Sequence, residues 1–225
     1  MRIGVGQMSI ALIGCSSVEY WERWGQQFCN SIQAMRTKPD EVIIASLEPL
    51  DVPDFVTNIE TKELFWDSWN DAIRHSTTDW VWPVGIDDLF EVDALENLDE
   101  SAEVIAIAGR ESTGASFVPD PHGFEQILQV GFNPMRGSIM LRRDVAVALP
   151  WRPVKWADWM QWCEIRYHGF RVVFDSQSRM VHVRHAGAIS MNSDSVAEAQ
   201  VNQLKHWLLT VGVKPGAEWP PVLLG

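Results

Sequence analysis

Short apolar runs alternate with amphipathic stretches through the first half of the chain, and that alternation is the strongest constraint on its fold. Met8–Gly14 is an apolar run closed by the turn Gly14-Cys15-Ser16-Ser17, and it reads as a buried strand. From Glu19 to Met35, the residues Trp21, Trp24, Phe28, Ile32 and Met35 recur at helical spacing until Pro39 punctuates the pattern. Val42–Ala45 is a second buried strand, and residues 48–60, with Pro49 and Pro53 among mixed acids, read as a loop. Thr61–His75 is a second helix whose Leu64, Phe65, Trp69, Ala72 and Ile73 share one face. Trp80–Val84 is a third strand, Val92, Leu95 and Leu98 mark a short helix, and Val104–Ala108 is a fourth strand. Strands and helices in this order predict a single α/β domain with a mostly parallel central sheet flanked by helices.

The second half is less regular. Residues 111–123, with Gly114, Pro119, Pro121 and Gly123, read as an exposed loop; Ile127–Val130 and Ser138–Leu141 are short strand candidates. Trp156–Tyr167 is a helix that Gly169 closes as a C-terminal cap. Val172–Phe174 and Met180–Val183 are late strands, Val196–Leu209 is an amphipathic helix, and a Pro-rich tail follows.

The formal charge is 18 − 30 = −12, which excludes a broad grip on nucleic-acid phosphates. A nucleotide can still bind such a chain if a divalent cation screens its phosphates, so the carboxylates become informative. Cys15, Cys29 and Cys163 are odd in number and widely spaced, which argues against a disulfide framework or a zinc cluster and for a soluble cytoplasmic protein. No apolar run is long enough to span a membrane. Leu12-Ile13-Gly14-Cys15 has the look of a bacterial lipoprotein cleavage site, but Gln7 and Ser9 interrupt the apolar stretch before it, and the first strand of the fold is the expectation.

Two carboxylates, Asp87 and Asp88, follow the third strand in Trp80-Val81-Trp82-Pro83-Val84-Gly85-Ile86-Asp87-Asp88. In open α/β sheets, ligands bind at the carboxyl edge of the strands, and carboxylates there can hold Mg²⁺ or Mn²⁺ against a diphosphate. The competing reading is that the pair caps the following element. Downstream, Asp158 stands at the start of a helix that ends Arg166-Tyr167-His168-Gly169, and the same two readings apply to it: a positioned acid or a helix cap.

Taken together, Asn70-Asp71-Ala72-Ile73, Asp79-Trp80-Val81, Asp87-Asp88 and the Asp158 helix with its following Gly169 resemble the GT-A type of nucleotide-sugar glycosyltransferase, in its inverting, family 2-like form. In that family an Asn-x-Ala-Ile helix precedes a strand ending in an Asp-x-Asp-Asp metal motif of the DXD kind. Here the motif reads Gly85-Ile86-Asp87-Asp88, with Gly85 at the first acid, and Ala157 likewise replaces the first acid of the Glu-Asp pair that opens the acceptor-side helix. The resemblance implies a divalent cation, Mn²⁺ or Mg²⁺, held by Asp87, Asp88 and His185, with His182 as the alternative histidine. It implies that Ser16, Ser46, Asn70 and Asp87 contact a nucleotide-sugar donor, a UDP-sugar by expectation, and that Asp158 is the general base toward an unnamed acceptor hydroxyl. Arg142 and Arg143 are further candidates for phosphate contact or for solvated charge. The resemblance runs from about residue 8 to 190, which divides the chain into a GT-A-like domain over 1–190 and a C-terminal helix and tail over 191–225.

Two other functions fit parts of the pattern. Gly85, Ala157 and Ser46 (at the position of the family's usual acid after the second strand) suit a non-catalytic binding module for a nucleotide or glycan. A nucleotidyltransferase would carry a Gly-rich basic loop after the first strand, where this chain has Cys15-Ser16-Ser17-Val18-Glu19.

Overall fold

The computed structural model describes residues 8–62, 66–128, 133, 135, 137–152, 157–185, 206–207 and 209–210. In chain order the elements are β1 (Ile10–Cys15), α1 (Val18–Ala34), β2 (Glu41–Ser46), β3 (Thr57–Glu60), α2 (Trp66–His75), β4 (Trp80–Pro83) and β5 (Leu89–Phe90). They continue with β6 (Val104–Glu111), β7 (Ser116–Phe117), α3 (Pro121–Gln126), β8 (Ser138–Arg142), α4 (Arg143–Ala148), α5 (Ala157–His168) and β9 (Val172–His182).

The strands form one sheet in the order β3-β2-β1-β4-β8-β6-β9-β5, with β7 beside β6. The pairings β1–β2, β1–β4, β2–β3 and β6–β9 are parallel, whereas β8 runs antiparallel to both β4 and β6. Among the described strands, β1, β2, β3, β4, β6 and β9 therefore share one direction, and β5, β7 and β8 oppose them.

Period-two alternation along the strands feeds a core on each face of the sheet. Ala11, Ile13, Ile43, Ala45, Val81, Val104 and Ala106 enter the core that α2, α4 and α5 cover. Ile10, Leu12, Val42, Ile44, Trp80, Trp82, Ile105 and Ile107 enter the opposite core, against Phe28, Cys29 and Ile32 of α1. Strands buried on both faces read as continuous apolar runs, which is why β1, β2 and β6 are legible in the sequence. Ser17 caps α1, its hydroxyl accepting from the Tyr20 N–H at 3.2 Å, and Gly169 follows α5 at φ +73°, the left-handed conformation a helix terminator needs.

Several elements differ from expectation for identifiable reasons. The loop over 48–60 contains β3, a short parallel edge strand whose Asn58 ties it to Ile44 O and Ser46 Oγ, both at 2.8 Å. The short helix expected around Val92–Leu98 is a series of turns instead, pinned by Arg179, which donates to Asp93 O at 3.0 Å and Glu96 O at 2.6 Å. The two late strands are one, β9, whose register against β6 slips between Ala106 and Gly109 and so accommodates the exposed Ser176 and Gln177. The loop expected over 111–123 includes β7 and the start of α3, and α4 is an added helix. Ile127 and Leu128 form a turn, and the rest of that strand candidate lies outside the described residues. Trp156 and most of 191–225 also lie outside them; of the C-terminal segment, His206, Trp207, Leu209 and Thr210 are helical.

Candidate active site

The parallel strands β1, β2 and β4 end at one edge of the sheet, and the chain turns there through Val84–Asp88. The turn closes on itself: the Asp88 N–H donates to Gly85 O at 3.1 Å, and the Gly85 N–H donates to Asp88 Oδ2 at 3.3 Å. β5 then pairs with β9 in the register Leu89↔Val181 and Phe90↔Met180. One step further along that antiparallel register, Asp88 faces His182, and Nδ1 donates to Oδ1 at 2.7 Å. Three residues on, His185 reaches the neighbouring carboxylate, with Nε2 at 2.8 Å from Asp87 Oδ2. The sheet thus builds two Asp–His couples side by side.

The two carboxylates are not equivalent. Both oxygens of the buried Asp88 are engaged, one by His182 and one by Gly85. Burial pushes the Asp88 carboxyl up against the opposing pull of His182, and the Asp88 hydrogen bond holds the His182 imidazole above its usual value. Asp87 is engaged through Oδ2, and Oδ1 lies against Gly85: a Cβ added at Gly85 would stand 2.6 Å from it.

Helix α1 supplies the third side. The Tyr20 hydroxyl lies 3.3 Å from His185 Nε2, and the Trp24 ring, one turn further on, packs against the His185 ring with centroids 4.7 Å apart. Burial, with the nearby negative charge of Asp87, holds the Tyr20 phenol well above its ordinary value.

Among the described residues, no group of three or more His, Cys, Asp or Glu converges as a ready-made metal cage. Mg²⁺ and Mn²⁺ do not need one. Such hard cations are commonly held by one or two carboxylates, with substrate phosphates and water completing the shell. Asp87, with an imidazole at its side, suits that donor set.

The other sequence candidates sit differently. Ser46 is fully buried, its Oγ donating to Glu48 O at 2.7 Å and accepting from Asn58. Asn70 is also buried and clamps the Trp151 backbone from both sides, Nδ2 donating to Trp151 O at 2.9 Å and Oδ1 accepting from Trp151 N at 2.8 Å. Ser16 is buried at the end of β1 and its hydroxyl donates to Ser17 O at 2.9 Å. As the structure stands, the polar side-chain atoms of all three serve the framework. Arg143 likewise donates to Ile73 O and Arg74 O, and Arg142 pairs with Asp144.

Asp158 lies in the first turn of α5, away from the two couples in sequence and hydrogen bonding. It accepts from Asn133 Nδ2 at 2.9 Å and from the Trp159 backbone, and burial pushes its carboxyl above the usual carboxylate range. Ala157 beside it is buried. Sequence reasoning missed Tyr20 and the role of Trp24, which reads as one more residue of the apolar stripe of α1. It is half-buried, and the available signal was a Tyr one turn before it, at the mouth of the strand-edge turn.

No protein-family model and no curated protein matches the chain. Solved structures do. TarS 1–349 from S. aureus in complex with UDP-GlcNAc superposes with a TM-score of 0.67 at 15% identity, covering 90% of this chain and 66% of that one. The mannosyltransferase PcManGT from Pyrobaculum calidifontis, in complex with GDP-Man and Mn²⁺, gives 0.63 at 15% identity, covering 97% and 69%. The chain spans about two thirds of the length of each. The likeness runs through nearly all of this chain, and its fold is that of the GT-A glycosyltransferases.

Proposed function

We propose that the chain is a glycosyltransferase that moves a sugar from a nucleoside-diphosphate sugar, by preference a UDP-sugar, to an acceptor hydroxyl with inversion. The observation that carries this reading is the pair of Asp–His couples at the carboxyl edge of a GT-A sheet, the edge at which open α/β folds bind ligands. Structural neighbours holding UDP-GlcNAc or GDP-Man with Mn²⁺ support the donor class. Asp87, with His185 beside it, holds a divalent cation on the donor diphosphate. When bound, that cation stabilises negative charge on the departing nucleotide. Asp88 keeps the turn and His182 in place and thereby aims Asp87. Asp158 takes the acceptor proton, the role of a positioned carboxylate base, and burial raises its affinity for that proton.

No described helix is long and apolar enough to cross a membrane. The odd number and wide spacing of Cys15, Cys29 and Cys163 suit a reducing cytoplasm.

A binding module without turnover is the second reading. It is favoured by Gly85, where any side chain meets Asp87, and by the buried Ala157, which leaves α5 with one opening acid. Two substitutions separate the readings. Asp158→Asn should leave donor affinity nearly intact and lower turnover about 10²–10⁴-fold, as removal of a positioned base does. Asp87→Ala should weaken metal-dependent donor binding itself. Donor binding by the wild-type protein with neither transfer nor donor hydrolysis would establish the binding module instead.

A further inference from the structure

We infer that Tyr20 is a positioning residue of this site: with Trp24, one turn along α1, it fixes the His185 ring against Asp87. The inference deepens the glycosyltransferase reading and rests on it for the consequence at the metal, but not for the geometry.

Three observations carry it. First, the Tyr20 hydroxyl meets His185 Nε2 at 3.3 Å, and the phenol lies near enough to feel the negative charge of Asp87. Second, two aromatic rings of α1 pack beside His185: Trp24 at 4.7 Å with an interplanar angle of 36°, and Tyr20 at 6.3 Å. Trp24 is held in turn by Arg23, whose guanidinium carbon lies 5.1 Å from its ring centroid. Third, His185 Nδ1 is buried and has no hydrogen-bond partner among the described residues, so the hydrogen bonding of the ring runs through Nε2.

The chemistry follows from the proton count. A neutral imidazole has one N–H, and the 2.8 Å approach to the Asp87 carboxylate, which only accepts, places it on Nε2. The same N–H is shared with the Tyr20 hydroxyl oxygen, which accepts from it at 3.3 Å. His185 lies beyond the end of β9, where no ladder bond holds the ring. The hydroxyl of Tyr20 and the face of Trp24 supply that restraint. Groups that orient a ligand from behind commonly change metal affinity 10–100-fold when removed.

The test uses the full chain with Tyr20→Phe, which keeps the ring and removes only the hydroxyl, and Trp24→Leu, which removes the stacked face. Ring-nitrogen NMR of ¹⁵N-histidine protein reads His185 directly, with His182 as the internal control. The inference predicts that wild-type His185 is protonated at Nε2. Tyr20→Phe should move the His185 ring nitrogens, leave those of His182 in place, and weaken Mn²⁺ binding in the presence of UDP by about tenfold. Trp24→Leu should move the same resonances. His185 shifts unchanged in both variants would overturn the inference. A wild-type protein that binds no Mn²⁺ with UDP would instead overturn the metal reading, while the histidine spectra still decide the role of Tyr20.

Discussion

His185 Nε2 stands 2.8 Å from Asp87 Oδ2, although 98 residues separate the two in sequence. What joins them is the β5–β9 pairing, since the register that sets Leu89 opposite Val181 also delivers the end of β9 to the acidic turn. The site is therefore only as exact as that two-residue strand and its partner, and substitutions around it have separable consequences.

Gly85→Ala should act on the ligand rather than on the fold. Gly85 is not among the residues with positive φ, so the backbone tolerates alanine, but the added Cβ falls 2.6 Å from Asp87 Oδ1 and displaces that carboxylate. Donor affinity with Mn²⁺ should fall about tenfold, on the scale of other groups that orient a metal ligand, with the melting temperature little changed. Gly85→Asp, which restores the family's usual acid, should weaken binding in the same way. Calorimetry and a thermal melt check both; tighter donor binding by Gly85→Asp would show that the glycine is a simple loss.

Asn70→Ala should act on the fold. It removes both hydrogen bonds to the buried Trp151 backbone, and a cost of about 2–4 kcal/mol is expected from urea unfolding. A donor affinity that falls while stability holds would return Asn70 to the ligand.

Asp158 carries a pH prediction. Its folded-state proton affinity is raised by burial, so the base form fills only as pH rises above the ordinary carboxylate range, and kcat/KM should climb with pH there. The same shift has a stability consequence. Between the unfolded value, about 3.9, and the raised folded one, the native state holds a proton that the unfolded chain has lost, so stability declines as pH rises through that window. Asp158→Asn should abolish both the acid limb of the rate profile and that decline. An acid limb that survives in the variant would assign it to another group.

The sequence was most informative where burial is two-sided. β1, β2, β4 and β6 announce themselves because the residues of each strand enter two different cores, leaving little polar alternation to confuse the pattern. β3 was hidden by its edge position, where a Thr-Asn-Ile-Glu segment pairs on one side and is partly exposed. The long β9 was hidden by its irregular register, which puts polar Ser176 and Gln177 in the middle of an apolar strand. At the site, Asp87 and Asp88 were visible as a pair, but the difference between their surroundings was not. It depends on which of the two faces His182 across a sheet register, and no local pattern encodes that. Ser46 and Asn70 were placed by family position, and their burial against Glu48, Asn58 and Trp151 is a tertiary fact.

Asp87 is proposed to bind a nucleoside diphosphate through a divalent cation. Titration calorimetry of the wild-type chain with a UDP-sugar, in Mn²⁺ and again in EDTA, tests it most directly. The expected result is binding in Mn²⁺, its loss in EDTA, and its loss in Asp87→Ala at any Mn²⁺ concentration that saturates the wild type. Equal affinity in Mn²⁺ and EDTA, or a wild-type isotherm from Asp87→Ala, would contradict it.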